Sequence, residues 1–372
     1  MSRFTDNVSR GGVRTYPPVL PVVDWAKVAA ASAPTLVPFT YVDASSPLPK
    51  ADIIIMTWTE AEWLALDHVF VQNAATQSES TKTFERQWFL FSRGSPASAG
   101  ASSKLWGFYQ LVQIKGAGGK TFKVLLFKSD AHLAHPPYIL SLETLVTTLA
   151  KEVEPSRIYS IGTAGGANGT QRLGDVAITN AAKLQLTLKV NDTVAYNGET
   201  FTCKTWFPDT GLLAATGAKL FLSLGSIATL VELGDMLVQL HSRYKQTLPF
   251  TLPDLMNNAL NPANLGTAKA TPMKDIPLLT TDNYYIAPGD TSYAALEMDD
   301  AVIAYAAGIQ KVDYVFVRNI SDPMVPALAA NGTPIPAEVR EDWSSAIYSH
   351  FGLYSSFNGA LTTWATIAAS TS

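Results

Sequence analysis

Residues 157–179 read Arg-Ile-Tyr-Ser-Ile-Gly-Thr-Ala-Gly-Gly-Ala-Asn-Gly-Thr-Gln-Arg-Leu-Gly-Asp-Val-Ala-Ile-Thr: an apolar run, a glycine-rich turn and a second apolar run. Gly162, Gly165, Gly166 and Gly169 allow backbone N–H groups to converge on an anion or a sugar, and equally allow a tight turn with no ligand. The spacing is not G-x-G-x-x-G opening a helix, so this is not a dinucleotide fingerprint. Thr163 lies in the turn, where its hydroxyl can satisfy the local backbone. Carboxyls of two kinds accompany it. Asp322 follows a predicted strand, where ligands collect in open α/β sheets and partial burial can keep a carboxyl protonated; a turn residue before Pro323 is the other use of such an Asp. Glu297, Met298 and Asp299 open a predicted helix, whose dipole favours acids there in any case. Glu62 stands three residues after Thr59, a capping-box spacing.

The elements that must position these residues alternate. Ala51–Met56 reads as a buried strand and Thr59–Phe70 as a capped helix, which together start a βα unit. Three strands follow, near Trp88–Ser92, Trp106–Ile114 and Thr121–Lys128, as a β-meander. Ile139, Leu142, Leu145, Val146, Leu149 and Val153 recur at helical spacing over about 138–153, leading into the glycine-rich stretch by a strand-helix-strand crossover. Strands are expected at 175–179 and 183–190. A polar hairpin then precedes helical spacing at 220–233 and 236–244, and prolines punctuate the chain to 272. A helix at about 296–308, a strand at 314–320 and one or two helices over 340–369 complete the chain.

With 372 residues, 47% of them hydrophobic and 16% charged, there is ample material for a core. A formal charge of −4 leaves no electrostatic footprint for nucleic acid, and no basic run suggests a membrane surface. Cys203 is the only cysteine, which excludes an intrachain disulfide and a cysteine-based metal site; the histidines show no metal-ligand spacing. No stretch has the length of a membrane span, and residues 1–6 are polar rather than leader-like, so a soluble, cytoplasmic protein is expected.

Three motifs in order make the chain resemble the nucleoside phosphorylase superfamily, which includes purine and uridine phosphorylases and methylthioadenosine nucleosidases. They are Ser160-Ile-Gly-Thr-Ala-Gly-Gly closed by Leu173-Gly-Asp-Val, then Leu296-Glu-Met-Asp-Asp-Ala-Val-Ile-Ala, then Val317-Arg-Asn-Ile-Ser-Asp322. The resemblance covers roughly residues 50–325. It implies an α/β fold, three-layer α/β/α with a mixed, partly barrel-like sheet, and cleavage of the N-glycosidic bond of a purine nucleoside. That reaction needs a stabilised oxocarbenium-like sugar, a proton for the departing base and an oxygen nucleophile.

By resemblance, Asp322 gives the proton to N7 of the purine, Met298 packs on the ribose, Asp299 binds its 2′ and 3′ hydroxyls, and Glu297 belongs to the same substrate-binding segment. Thr163 and Gly165 hold the attacking water or phosphate, Ser321 lines the site beside Asp322, and Tyr284 and Tyr285 frame the base. The opening Met56-Thr-Trp-Thr-Glu-Ala-Glu resembles the nucleosidase opening, in which a Glu activates water; Glu62 fits that position best, with Glu60 two residues away. The phosphorylase alternative requires phosphate as co-substrate, yet Gly-Asp-Pro-x-Arg is missing and Ser160 stands where hexameric purine phosphorylases carry an Arg. No cofactor is implied. Two departures stand out: Asp299 is one methylene shorter than the usual Glu, and Ser129-Asp-Ala-His132 replaces Ser-Gly-x-Gly, which fits a catalytically impaired nucleoside-sensing protein as a third reading. The expected organisation is an N-terminal arm (1–50), a nucleoside phosphorylase-like domain (51–335) with an insertion or lid at about 195–275, and a helical tail (336–372). The aromatic tail and the arm are interface material for a homo-oligomer, which in this superfamily is a dimer, trimer or hexamer.

Overall fold

The computed structural model describes residues 20–75, 88–95, 105–132, 139–187, 194–206, 208–222, 268–282, 291–324, 327–329 and 331–371. The strands are β1 (Thr35–Leu36), β2 (Ile53–Thr57), β3 (Phe89–Phe91), β4 (Gly107–Lys115), β5 (Thr121–Ser129), β6 (Arg157–Gly165), β7 (Val176–Thr179), β8 (Ala181–Gln185), β9 (Thr200–Thr202), β10 (Ala270–Pro272), β11 (Leu278–Thr281), β12 (Leu296–Glu297) and β13 (Asp313–Asp322). The helices are α1 (Glu60–Asp67), α2 (Ile139–Val153), α3 (Thr210–Leu220), α4 (Asp300–Ile309) and α5 (Ala337–Ala368).

All of the strands belong to one mixed sheet. The meander β3-β4-β5 is antiparallel, β5 and β6 flank β2 in parallel, and β6 continues in parallel into β13. At its far end β6 also meets β12 through Leu296 opposite Gly165, while β13 pairs antiparallel with β7. The sheet therefore branches at β6. One branch runs through β12 and β11 to β8, the other through β13 to β7, and the chain joins β7 to β8 across Asn180. This is the partly barrel-like form, without full hydrogen-bonded closure.

Two helical layers follow from the period-2 alternation of the strands. Ile53 and Ile55, Tyr159 and Ile161, and Val315 and Val317 pack with α1, α3 and α5. Their neighbours Ile54 and Met56, Ile158 and Ala164, and Phe316 and Ile320 pack with α2 and α4. Near-continuous burial along β2, β6 and β13 is what parallel strands covered on both faces require. The expected three-layer α/β class is thus the one observed.

Several local expectations are corrected. The short helix that the sequence suggests over 24–31 is instead two 3-10 turns, Trp25–Lys27 and Ala30–Ser32, neither with a side-chain cap. Helical structure near 220 ends there rather than begins: Asp209 caps Leu212, and Phe221 is already extended; the remaining helical spacing at 223–244 lies outside the described residues. The helix expected from 296 begins only at Asp300, since Leu296 and Glu297 are taken by strand pairing with β6 and β11. The tail is a single helix, and Phe351, Phe357 and Trp364 on it are buried in the core of this chain. No helix among the described residues is long and apolar enough to cross a membrane.

The C-terminal half of α5 is buried all round, so its polar side chains need internal partners. Thr362, Thr363 and Thr366 donate to the carbonyls four residues back at 2.8, 3.0 and 3.0 Å. Trp364 packs on Trp25 with ring centroids 4.6 Å apart and donates to the Ser32 carbonyl at 2.7 Å, tying residues 20–36 to the core. Trp364→Ala is expected to cost about 3–5 kcal/mol of unfolding free energy, read by urea denaturation. A loss below about 1 kcal/mol would show that this half of α5 lies outside the cooperative core.

Candidate active site

The carboxyl ends of β2, β5, β6 and β13 lie together, and the chemistry-bearing residues cluster beyond them. Thr59 starts α1 with a capping box: its hydroxyl accepts from Glu62 N at 3.3 Å, and the Glu62 carboxylate accepts from Thr59 N at 2.9 Å. Glu62 is no solvated cap, however, because only 3% of it is exposed. The same oxygen, Oε2, accepts from the Thr57 hydroxyl and Trp58 N at 3.0 Å each, and Oε1 accepts from the N and Oγ1 of Thr163 at 2.7 Å each. Burial acts to raise its pKa, but the Arg318 guanidinium and the donors from Thr163 and Thr59 prevail and hold it below the ordinary Glu value.

The glycine-rich stretch receives this carboxylate. A Cβ on Gly162 would lie 2.3 Å from Arg318 Nη1 and 2.9 Å from Glu62 Oε1, so only glycine admits both groups. On Gly165 a Cβ would lie 3.2 Å from Asp322 Oδ2. The bare backbone here makes room for the chain's own charged side chains.

Arg318 is the hub. It belongs to the row of β13 that includes Phe316 and Ile320 and faces α4, and it is 3% exposed. Nε donates to Asp300 Oδ2 at 2.7 Å, and Nη2 donates to Asp300 Oδ1 at 2.5 Å and to Ser160 Oγ at 2.9 Å. Nη2 also lies 3.3 Å from Glu297 Oε2. The Ser160 hydroxyl in turn donates to Asp300. Sequence reasoning gave Asp300 no role and took Arg318 only as part of a motif. One signal was available: a charge inside the apolar run 314–320 requires a buried counter-charge.

Glu297, Met298 and Asp299 do not begin a helix. Glu297 ends β12 and caps α4 from outside, accepting from Asp299 N at 2.6 Å and Asp300 N at 2.9 Å, while Thr280 donates to its other oxygen. Burial together with the charge of Asp300 pushes its pKa up to about 8, against the pull of Arg318. Asp299 is buried, with Oδ2 3.3 Å from His132 Nε2; the departure at 129–132 thus delivers an imidazole to the acid that the resemblance assigns to the sugar. Asp130 instead pairs with Lys128 at 2.5 Å. Met298 is half-buried beside Asp299.

Asp322 closes β13 after a register shift, next to Gly165 of β6, and its Oδ1 accepts from Ser321 Oγ at 2.7 Å. Thr163, Gly165, Glu62, Ser321 and Asp322 are therefore brought to one end of the β6-β13 pair. Glu297 and Asp299 reach it through Arg318 and through β12. Tyr284 and Tyr285 lie outside the described residues. Among the described residues no group of His, Cys, Asp and Glu has a metal-holding arrangement.

No protein-family model matches the sequence, and none of the curated proteins matches it. The chain is similar to solved structures of 5′-methylthioadenosine/S-adenosylhomocysteine nucleosidases. One, from Neisseria meningitidis in complex with methylthio-immucillin-A, is 12% identical with a TM-score of 0.44, over 86% of this chain and 100% of that one. Another, S-adenosylhomocysteine nucleosidase from Streptococcus pyogenes in complex with 5-methylthiotubericidin, is 13% identical with a TM-score of 0.43, over 87% and 98%. The Streptococcus pneumoniae nucleosidase in complex with 8-aminoadenine is 14% identical with a TM-score of 0.44, over 86% and 100%.

The raised pKa of Glu297 has a consequence for stability. A carboxyl that holds its proton more tightly in the folded chain contributes most below its unfolded pKa, and the contribution is lost as pH rises through the folded value. Unfolding free energy should therefore fall between about pH 5 and about pH 8 on account of Glu297, and Glu297→Gln should flatten that fall. Urea denaturation across this range measures it; an equal fall in both proteins would mean that other groups cause it.

Proposed function

We propose that the protein cleaves the N-glycosidic bond of a purine nucleoside with water as the nucleophile. The observation that carries this reading is the contact of the Glu62 carboxylate with Thr163. A charged base, held ionised in the interior, meets the site through a half-buried hydroxyl. Thr163 Oγ1 spends its proton on Glu62 and keeps its lone pairs for an O–H of the attacking water. As that water adds to C1′ of the sugar, its proton passes to Thr163 Oγ1 and the threonine proton passes to Glu62. The C1′–N9 bond breaks with its electron pair going to the base, and Asp322 protonates N7. The products are free purine and free sugar.

Asp322 suits the acid role by its position at the end of β13 opposite Gly165 of β6, with Ser321 donating to Oδ1. Asp299 takes the sugar hydroxyls and Met298 packs on the sugar, roles that rest on the motif resemblance, while His132, 3.3 Å from Asp299, compensates for the shorter side chain. Water is favoured over phosphate by charge. Nε and Nη2 of Arg318 are occupied by Asp300, Ser160 and Glu297, so its fork is not available to a phosphate dianion. A dianion at Gly162–Thr163 would also meet the Glu62 carboxylate that already accepts the Thr163 N–H.

Purified protein incubated with a purine nucleoside panel should release base and free sugar equally with and without phosphate. Sugar 1-phosphate formed only when phosphate is present would replace this reading with phosphorolysis. Asp322→Asn and Glu62→Gln should each lower kcat by roughly 10²–10⁴ while nucleoside binding persists. A loss below about tenfold in either would remove that residue from the chemistry. His132→Ala should raise KM for ribonucleosides more than for 2′-deoxyribonucleosides; equal changes for both sugars would detach His132 from the hydroxyls.

A further inference from the structure

Asp300 takes no part in the chemistry above, yet it meets Arg318 through both of its oxygens. Its two oxygens accept from Nε and Nη2 of Arg318, a two-pronged pairing that fixes the plane of the guanidinium as well as its position. Ser160, from β6, donates to Asp300 and accepts from Arg318 Nη2, which locks the pair in a second direction. Asp300 is the first residue of α4 and fully buried, and its own N–H is held by Glu297, so the carboxylate is anchored at both ends. With the Nε and Nη2 edge committed to Asp300, the remaining nitrogen, Nη1, projects beside Gly162. Glu62 Oε1 lies against the same point of the Gly162 backbone.

We propose that Asp300 is a positioning residue: it orients Arg318 so that Nη1 serves Glu62, and through that orientation it sets the geometry in which Glu62 and Thr163 handle the nucleophile. The inference rests on the water-activating reading of Glu62. The physical reason for a carboxylate is that arginine is a long, rotatable side chain with acceptor oxygens of both Glu297 and Glu62 beside it. A planar partner on the Nε edge removes that freedom; without it the guanidinium can turn its fork to Glu297, leaving Glu62 with a displaced counter-charge. Asp300 touches neither the sugar nor the base in this arrangement, so its removal should act on turnover and not on binding.

The test uses Asp300→Ala, with Asp300→Asn as the isosteric variant that keeps the packing if the alanine protein folds poorly. For both, kcat should fall about 10- to 100-fold with KM within about twofold of wild type. Formate, which can occupy the space left by the alanine and accept from both nitrogens, should restore kcat saturably in Asp300→Ala and have no effect on Asp300→Asn or wild type. A second measurement needs no substrate. In protein labelled with 15N-arginine, the Arg318 Nε–H resonance, assigned by its loss in Arg318→Lys, should be protected from exchange in wild type, lose protection in Asp300→Ala and regain it with formate. If the resonance responds in this way but no nucleoside is cleaved, the orientation of Arg318 by Asp300 stands and the proposed reaction falls. If Arg318 Nε–H stays equally protected in both variants, or if kcat follows only the folded fraction and formate raises thermal stability without raising kcat, Asp300 is merely structural and the proposal is overturned.

Discussion

A single guanidinium buried in the sheet organises this molecule. Arg318 cannot lose its proton, and burial makes an unpartnered charge prohibitively costly, so the fold must bring acceptors to it. They come from different elements: Ser160 from β6, Glu297 from β12, Asp300 from α4, with Glu62 of α1 across Gly162. The acids outnumber the cation, and the excess is relieved by protonation, which is why burial and the neighbouring Asp300 raise Glu297 to about 8 while Glu62, with five donors, stays ionised. One cluster thus contains a carboxyl that keeps its proton near neutrality and another that does not. Acid-base chemistry uses that kind of separation.

Close approach of backbones makes the cluster possible. Gly162 opens one face of β6 to Glu62 and Arg318. On the opposite side of β13, Gly359 lets α5 come against Asn319: a Cβ there would stand 2.6 Å from its side-chain amide. β13 is therefore clamped between a polar hub on one face and the buried half of α5 on the other. This holds Thr163, Ser321 and Asp322 at the ends of β6 and β13, the fixed geometry that the proposed cleavage would need. The His132–Asp299 contact lies at the edge of this framework, where β5 gives way to loop, and there the chain departs furthest from the motif pattern it otherwise resembles.

Much of the framework was legible in the residues. The apolar runs at 51–56, 121–128 and 314–320 became β2, β5 and β13, as strands covered on both faces require; the run opening at 157 became β6, which continues through Gly162 and Thr163 to Gly165 where a turn was expected. The helical spacing at 138–153 became α2, and the Thr59–Glu62 capping box formed as its spacing required. What misled were segments where local propensity lost to pairing. Leu296 and Glu297 carry a helical pattern into α4, but the open edges of β6 and β11 take them as a strand; the acidic Glu-Met-Asp-Asp run then serves as cap and counter-charge rather than as the first helical turn.

The sequence by itself determined the class of fold and the order of most of its elements, since these follow from hydrophobic period and short-range spacing, whereas the candidate acids were singled out only by the motif resemblance. It also placed Glu62 at a helix start, where capping was explanation enough. Only the tertiary structure decided that this cap is buried against Thr163, that Asp300 rather than Asp299 grips Arg318, and that His132 turns to Asp299. The reason is separation along the chain. Glu62 and Thr163 are 101 residues apart and Ser160 and Asp300 are 140 apart, and charges so distant meet only when strands from both parts of the chain lie side by side and leave them no water to turn to.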